Sequence, residues 1–406
     1  VLYIVLAIFT YALSFVLNVD GGIIVVVSLT LAICDILRID PRPYVLMEIF
    51  IVNVGASTTL ISAIPNIIVA EEANLDYSFF IMKTAPFTLM HFLVSLWLVF
   101  ALYKPPTRVD PLRAMTILEI DEWLFVRNKT EFYASALCVV GLIAGFIIVR
   151  ELVLISILFS AIALACYSNP EELLREMDWD TILFFTGFYI IVEGLESMGV
   201  LDKIAEALLL ASGGRIFVII TLFFWISLLV SGFLDNIPYI ITIIPIVKIL
   251  ASTSEFAEYS EIFWVALILA CNIGGGLNPY SAPQNMLALS MARKTKYSIP
   301  NRDYYRISIK WTLVSGVLGY IYILLLVYTP ELIRILTLSK FAIILLTIAV
   351  GAMIIGTHFA VGVKRFATRM RRFYRFSRRK IRQIILGTRR RIEDTIVERS
   401  SHPNNG

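Results

Sequence analysis

Two stretches of this chain, 219 residues apart, break otherwise apolar sequence with the same polar pattern. Residues 53–66 read NVGASTTLISAIPN and residues 272–285 read NIGGGLNPYSAPQN. With no gap, Asn53 pairs with Asn272, Gly55 with Gly274, Ser62 with Ser281, Ala63 with Ala282 and Asn66 with Asn285. A polar tip recurs at almost the same distance: Asn18, within Leu17-Asn18-Val19-Asp20-Gly21-Gly22, lies 218 residues before Asn236, within Leu234-Asp235-Asn236-Ile237-Pro238. Two motifs in one order at one spacing mark an internal duplication, the sequence signature of membrane folds built from two inverted halves.

The solvent for these breaks follows from composition. Hydrophobic residues make up 58% of the 406, charged residues 16%, and the mean hydropathy is +0.81; globular domains run at about 45–50% and about 25%. The apolar residues come in blocks, so the chain reads as an all-α polytopic membrane protein. A soluble enzyme, a disulfide scaffold and a disordered chain are excluded. The four cysteines (Cys34, Cys138, Cys166, Cys271) form no CxxC pair, and three histidines give a metal centre little to build from. The chain opens on Val1 inside an apolar stretch without a signal peptide's charged n-region, from which a start part-way through a longer protein is expected.

Spans of about 20 apolar residues divide the sequence into a partial first repeat at 1–103 (hairpin 1–38, broken helix 44–70, helix 79–103), a linker at 104–131 and a second repeat at 132–328 (hairpin 214–251, broken helix 262–291). The stretches 132–149, 151–167 and 180–198 read as further spans at the start of the second repeat. An extra transmembrane helix is expected at 340–363, followed by a basic tail at 364–406. Loops 71–78 and 253–261 are acidic without Lys or Arg, whereas 104–131 and 293–310 are rich in both. The positive-inside rule puts the latter two, with the tail, in the cytoplasm. The tail's Lys and Arg, interleaved with Phe366, Phe373, Tyr374 and Phe376, fit anionic lipid headgroups; no nucleic-acid partner is expected.

In hydrocarbon an unpaired backbone N–H or C=O costs several kcal/mol, so non-helical backbone survives only inside protein or along a cavity. Gly55, Gly274 and Gly275 let the chain depart from helical geometry and approach a ligand. Freed carbonyls, with the oxygens of Asn18, Asn53, Ser57, Ser62, Asn66, Asn236, Asn272, Ser281 and Asn285, suit a hard cation such as Na⁺, and half-helix N-termini suit an anion. Asp235 reads both as a helix N-cap before Pro238 and as an ion-handling carboxylate. Glu48 and Glu193 are further candidates for proton coupling. Lys83 reads as snorkelling near a helix end and His91 as a packing histidine.

Ser231-Gly232-Phe233-Leu234-Asp235-Asn236-Ile237-Pro238, Asn53-Val54-Gly55-Ala56-Ser57-Thr58-Thr59-Leu60-Ile61 and the stretch from Asp178 to Gly187 followed by Gly194-Leu195-Glu196 carry a resemblance. Through them the chain resembles the ion transporter superfamily, in the branch of arsenite permeases, NhaD-type sodium/proton antiporters, citrate-transporter-like proteins and the melanosomal P protein. The resemblance implies inverted repeats with two re-entrant hairpins and two broken transmembrane helices, alternating access, and often a homodimer. It makes 1–38 the first hairpin, with the helices that normally precede it absent. Two departures stand out: the first tip lacks the branch's Leu-Asp-Asn run, and Ser62-Ala63-Ile64-Pro65-Asn66 replaces its Gly-Asp-Pro-Pro-Asn run.

The expected function is an ion-coupled secondary transporter of the cell membrane, moving an arsenite- or carboxylate-like anion or exchanging Na⁺ for H⁺. A transport-inactive scaffold or lipid-binding relative is the alternative. A membrane-embedded enzyme lacks its motifs, since the chain has no HExxH and no GxSxG.

Overall fold

Apolar residues in such number, placed in lipid, leave the backbone to satisfy itself, and helices do so within one segment. The computed structural model describes residues 2–105, 128–149, 151–168, 170–175, 177 and 179–328. The expected helix at 340–363, the tail at 364–406 and most of the 104–131 linker lie outside the described residues.

The first repeat contains α1 (Leu2–Val16), α2 (Val19–Leu37), α3 (Arg42–Ala56), α4 (Ile64–Ala73) and α5 (Tyr77–Leu102). Then follow α6 (Lys129–Ile148), α7 (Leu152–Cys166), the short α8 (Pro170–Arg175), α9 (Trp179–Ser197) and α10 (Val200–Ser212). The second set of matching elements is α11 (Ile216–Ser231), α12 (Asn236–Ser252), α13 (Ser260–Gly274), α14 (Pro283–Arg293) and α15 (Asn301–Tyr328). Among the described residues five helical stretches are long and apolar enough to cross a membrane, or six if the α9–α10 pair, bent by 65°, counts as one span. The molecule is an all-α, multi-pass membrane protein.

The duplication is visible in the packing. In the first repeat α3 packs against α1, α2 and α5; in the second α13 packs against α11, α12 and α15. The second half of each broken helix crosses to the other repeat's hairpin, α14 onto α2 and α4 onto α12, while α5 meets α15. The two broken helices form the centre: every residue of Pro43–Ala56 and of Phe263–Gly274 is buried. A helix apolar on all sides belongs in an interior. At the periphery, Leu137, Val140, Ile148, Leu154 and Ile157 on α6 and α7 are exposed, as lipid-facing side chains should be.

Two ion pairs tie the halves together, Lys248–Glu72 at 2.6 Å and Lys83–Glu261 at 3.0 Å. Lys83, read from sequence as snorkelling, thus has a carboxylate partner. Partly exposed pairs of this kind are worth only about 0–1 kcal/mol each, so packing of the apolar helices holds the repeats in place.

The two hairpins differ in their turns. Residues 17–18 separate α1 from α2, whereas residues 232–235 separate α11 from α12. Asn18 is the N-cap of α2, its side chain accepting from Asp20 N at 3.1 Å, and Asp235 is the N-cap of α12, accepting from Ile237 N at 3.2 Å. Asn18 therefore holds the position of Asp235, one residue away from the Asn18–Asn236 pairing that sequence spacing suggests. The longer second turn is the cause.

Candidate functional site

α3 runs apolar and buried to Ala56, then leaves helical geometry for Ser57–Ala63 before Pro65 helps to restart it as α4. α13 ends at Gly274 in the same way, and Pro283 restarts α14. Both restarts lack a side-chain cap and carry a proline, which has no N–H, in the first turn, so each break ends at a helix N-terminus with partial positive charge.

The freed backbone is satisfied identically in the two halves. Ser62 Oγ donates to the carbonyls of Ala56 (2.7 Å) and Thr59 (2.6 Å), and Asn66 Nδ2 to the same two at 2.5 and 2.9 Å. Ser281 Oγ donates to the carbonyls of Gly275 (2.9 Å) and Asn278 (2.7 Å), and Asn285 Nδ2 to the same two at 2.7 and 3.3 Å. Every one of these positions is related by 219 residues. The long helix after each break supplies hydroxyls as well: Thr84 of α5 donates to Thr58 O, and Tyr304 and Ser308 of α15 to Gly276 O and Leu277 O.

The two breaks meet at a buried group of carboxamides. Asn53 Nδ2 donates to Ile49 O at 2.8 Å and across the repeats to Asn285 Oδ1 at 2.9 Å. Asn272 Nδ2 donates to Ile268 O at 3.0 Å and across to Asn66 Oδ1 at 3.3 Å. Gln284 Nε2 adds a bond to Asn53 Oδ1 at 3.3 Å. All five amides are at most 4% exposed. Both hydrogens of each asparagine Nδ2 are spent in these bonds and those to the freed carbonyls, so the cluster is an uncharged set of donors and acceptors that a ligand reaches only by displacing some of them.

The glycines act here through close approach. No residue of either break has positive φ. A Cβ on Gly55 would lie 1.6 Å from Ser14 Oγ of α1, and one on Gly274 would lie 2.4 Å from Leu228 O of α11. One on Gly275 would meet Asn236 Nδ2 at 2.6 Å. Each hairpin is thus pressed against a break.

Of the residues picked out by sequence, Asn53, Asn66, Asn272 and Asn285 form the cluster. Gly55, Ser62, Gly274, Gly275 and Ser281 shape its walls, and Ser57 is buried at the end of α3. Asn236 is buried and accepts from Ser231 Oγ at 2.5 Å. Asp235 is half-buried and Asn18 exposed, both at hairpin tips. Glu48 is fully buried and accepts from Thr30 of α2. Glu193 is exposed on α9, which packs on α10 and α12, away from the cluster. His91 is bonded through Nε2 to Ser315 Oγ at 2.6 Å and stacked on Trp311, a packing role. Gln284 escaped notice because its repeat partner is Pro65; a polar residue replacing that proline inside SAPQN was the signal. The Tyr11–Thr58–Thr88 hydroxyl group beside the first break left no repeated trace. Among the described residues no group of three or more His, Cys, Asp and Glu could hold a metal ion.

Relatives share this sequence. An uncharacterized transporter of Mycobacterium tuberculosis is 31% identical over 306 residues, covering 74% of this chain and 71% of its own. The 46 kDa membrane protein of Mycobacterium leprae is 28% identical over the same length and coverage. The P protein of Homo sapiens is 22% identical over 403 residues, covering 79% of this chain and 48% of its own. A sequence profile of the family described as Citrate transporter matches residues 1–270, which include the first hairpin, both arms of the second and most of α13. This chain belongs to the citrate transporter family.

Proposed function

We propose that the chain is an ion-coupled secondary transporter that carries a small carboxylate-like anion by alternating access, with the carboxamide cluster as its binding site. The single observation behind this is the Asn53–Asn285 bond at 2.9 Å, which joins two helix breaks from opposite ends of the sequence. Carboxamide N–H groups, exchanged from their present carbonyl partners, and the two helix N-termini match the oxygens of a carboxylate. A Na⁺ coupling ion would draw on the carbonyls of Ala56, Thr59, Gly275 and Asn278, displacing the Ser and Asn donors that now occupy them. In this scheme the hairpins are re-entrant: three of their four arms, of 15 to 17 residues, rise about 22–26 Å at 1.5 Å per residue, against a hydrocarbon core of about 30 Å, while α2 at 19 residues is long enough to span. Two copies pair as a homodimer in the plasma membrane, with the basic tail on anionic headgroups at the cytoplasmic face.

The test is reconstitution in proteoliposomes. Labelled citrate or succinate should accumulate under an imposed Na⁺ or proton gradient. Absence of flux for carboxylates, arsenite and Na⁺ alike would overturn the assignment. Asp235→Asn should keep the melting temperature, since Asn caps a helix as well as Asp does, yet lose the Na⁺- or pH-dependence of uptake. An unchanged dependence reduces Asp235 to a cap.

A further inference from the structure

One polar contact in the core breaks the internal symmetry. Glu48 lies on α3, five residues before Asn53, and is fully buried. Its Oε1 accepts from the Thr30 hydroxyl of α2, and its Oε2 has no partner. In the second repeat the place of Glu48 is held by Leu267, 219 residues on. Counted from the N-caps Asn18 and Asp235, the place of Thr30 is held by Val247. Both are fully buried. Where one half has two buried apolar residues, the other has a carboxyl–hydroxyl contact, at the joint between a hairpin arm and a broken helix.

Among the described residues of the helices packed on α2 and α3, none makes a contact that supplies Glu48 with a counter-charge. α1 brings only the phenols Tyr3 and Tyr11. On α2, Cys34, four residues beyond Thr30, is buried, Asp35 is exposed, and Asp20 lies in the first turn at the tip. On α5, Tyr77 opens the helix, Lys83 is turned to Glu261 of α13, and His91 is turned to Ser315. α13 otherwise brings Cys271, and α14 only Arg293, exposed in its last turn. On α3 itself, Arg42 is paired with Asp40, and Tyr44 lies one turn from Glu48. A buried carboxylate needs a charge partner or a proton.

We propose that the Glu48 carboxyl is a proton-binding site that latches hairpin 1 to α3. With the proton on Oε2 the joint is neutral, and the Thr30 bond closes it. When the proton leaves to water, an uncompensated charge remains between α2 and α3, and the arm loosens. Because α2 also packs against α14, which carries Asn285, the latch reaches the carboxamide cluster. Its meaning for coupling rests on the transporter assignment; the site itself does not.

The experiment needs no substrate. The full chain in lipid nanodiscs is titrated with pH while the infrared band of a protonated carboxyl is followed, and alkylation of Cys34 is measured against that of Cys271, a second buried thiol that serves as the reference. We expect a carboxyl band present in the parent and missing in Glu48→Gln. As pH rises the band should fade and the Cys34/Cys271 alkylation ratio should climb by about tenfold, a local opening. In Glu48→Gln, neutral at every pH, the ratio should stay flat. A band that survives Glu48→Gln, or a ratio that climbs equally in both proteins, overturns the latch. So does loss of the band on adding Na⁺ at constant pH, which would assign Oε2 to a cation. A failed flux assay beside a positive titration would instead count against the transporter assignment alone.

Discussion

Gly274→Ala should unseat the second hairpin, and no compensating side-chain change should restore it. The added methyl would lie 2.4 Å from Leu228 O and 3.1 Å from Gly232 N. Both are backbone atoms of the α11 end, so relief requires moving the hairpin itself. Overpacking costs about 1–3 kcal/mol where side chains can give way; with backbone on the far side the upper end applies. The helix propensity gained from Gly to Ala, up to about 1 kcal/mol, does not offset it. Gly55→Ala is the informative contrast. There the methyl meets Ser14, at 1.6 Å from Oγ and 2.6 Å from Cβ, with backbone no nearer than 3.6 Å. Gly55→Ala should therefore be destabilising alone and largely rescued by Ser14→Gly, which deletes the colliding atoms. Thermal unfolding of the two single variants and the Ser14→Gly/Gly55→Ala double variant checks this. A Gly274→Ala protein melting like the parent would mean that the hairpin does not press on the break.

What the sequence disclosed follows from what repeats. The breaks were legible because polar residues at mid-span cannot be placed casually in lipid, and because each half needs the same Ser and Asn to satisfy the same freed carbonyls; the constant offset of 219 is that requirement written twice. The hairpin tips were less legible, because a turn of different length changes register without changing composition. The bend between α9 and α10 was missed altogether. Gly199 at φ 68° makes the turn, and α10 buries Leu201 and Ala205 while exposing Asp202, Lys203 and Glu206. That one-sided pattern is helical, but its charges remove it from a search for apolar runs. Glu193 shows what one dimension leaves open. A carboxylate inside an apolar stretch looks functional in one dimension, yet on α9 it is exposed at the rim of the described structure. Gln284 stood out only as a mismatch, because duplication highlights what the halves share and this residue is where they differ.

Asn285→Ala should abolish transport at a modest cost in stability. The side chain donates to Gly275 O and Asn278 O and accepts from Asn53 Nδ2. Its loss leaves the Gly275 and Asn278 carbonyls to share the single hydrogen of Ser281 Oγ, while Asn53 Nδ2 keeps Ile49 O. The penalty is then that of one under-satisfied buried carbonyl and one lost amide bond, about 1–3 kcal/mol. The protein should fold and melt a few degrees lower, while uptake falls because the bond joining the two breaks is gone. Its counterpart Asn66→Ala provides the internal scale. The cross-repeat bond at Asn66 is longer, 3.3 Å against 2.9 Å, so the coupling of Asn53 with Asn285 should exceed that of Asn272 with Asn66. Double-mutant cycles on melting temperature and on uptake measure both couplings, and residues in direct contact should show at least about 0.5 kcal/mol. If Asn285→Ala transports like the parent, or if both couplings vanish, the carboxamide cluster is packing that two broken helices share, and the substrate binds elsewhere.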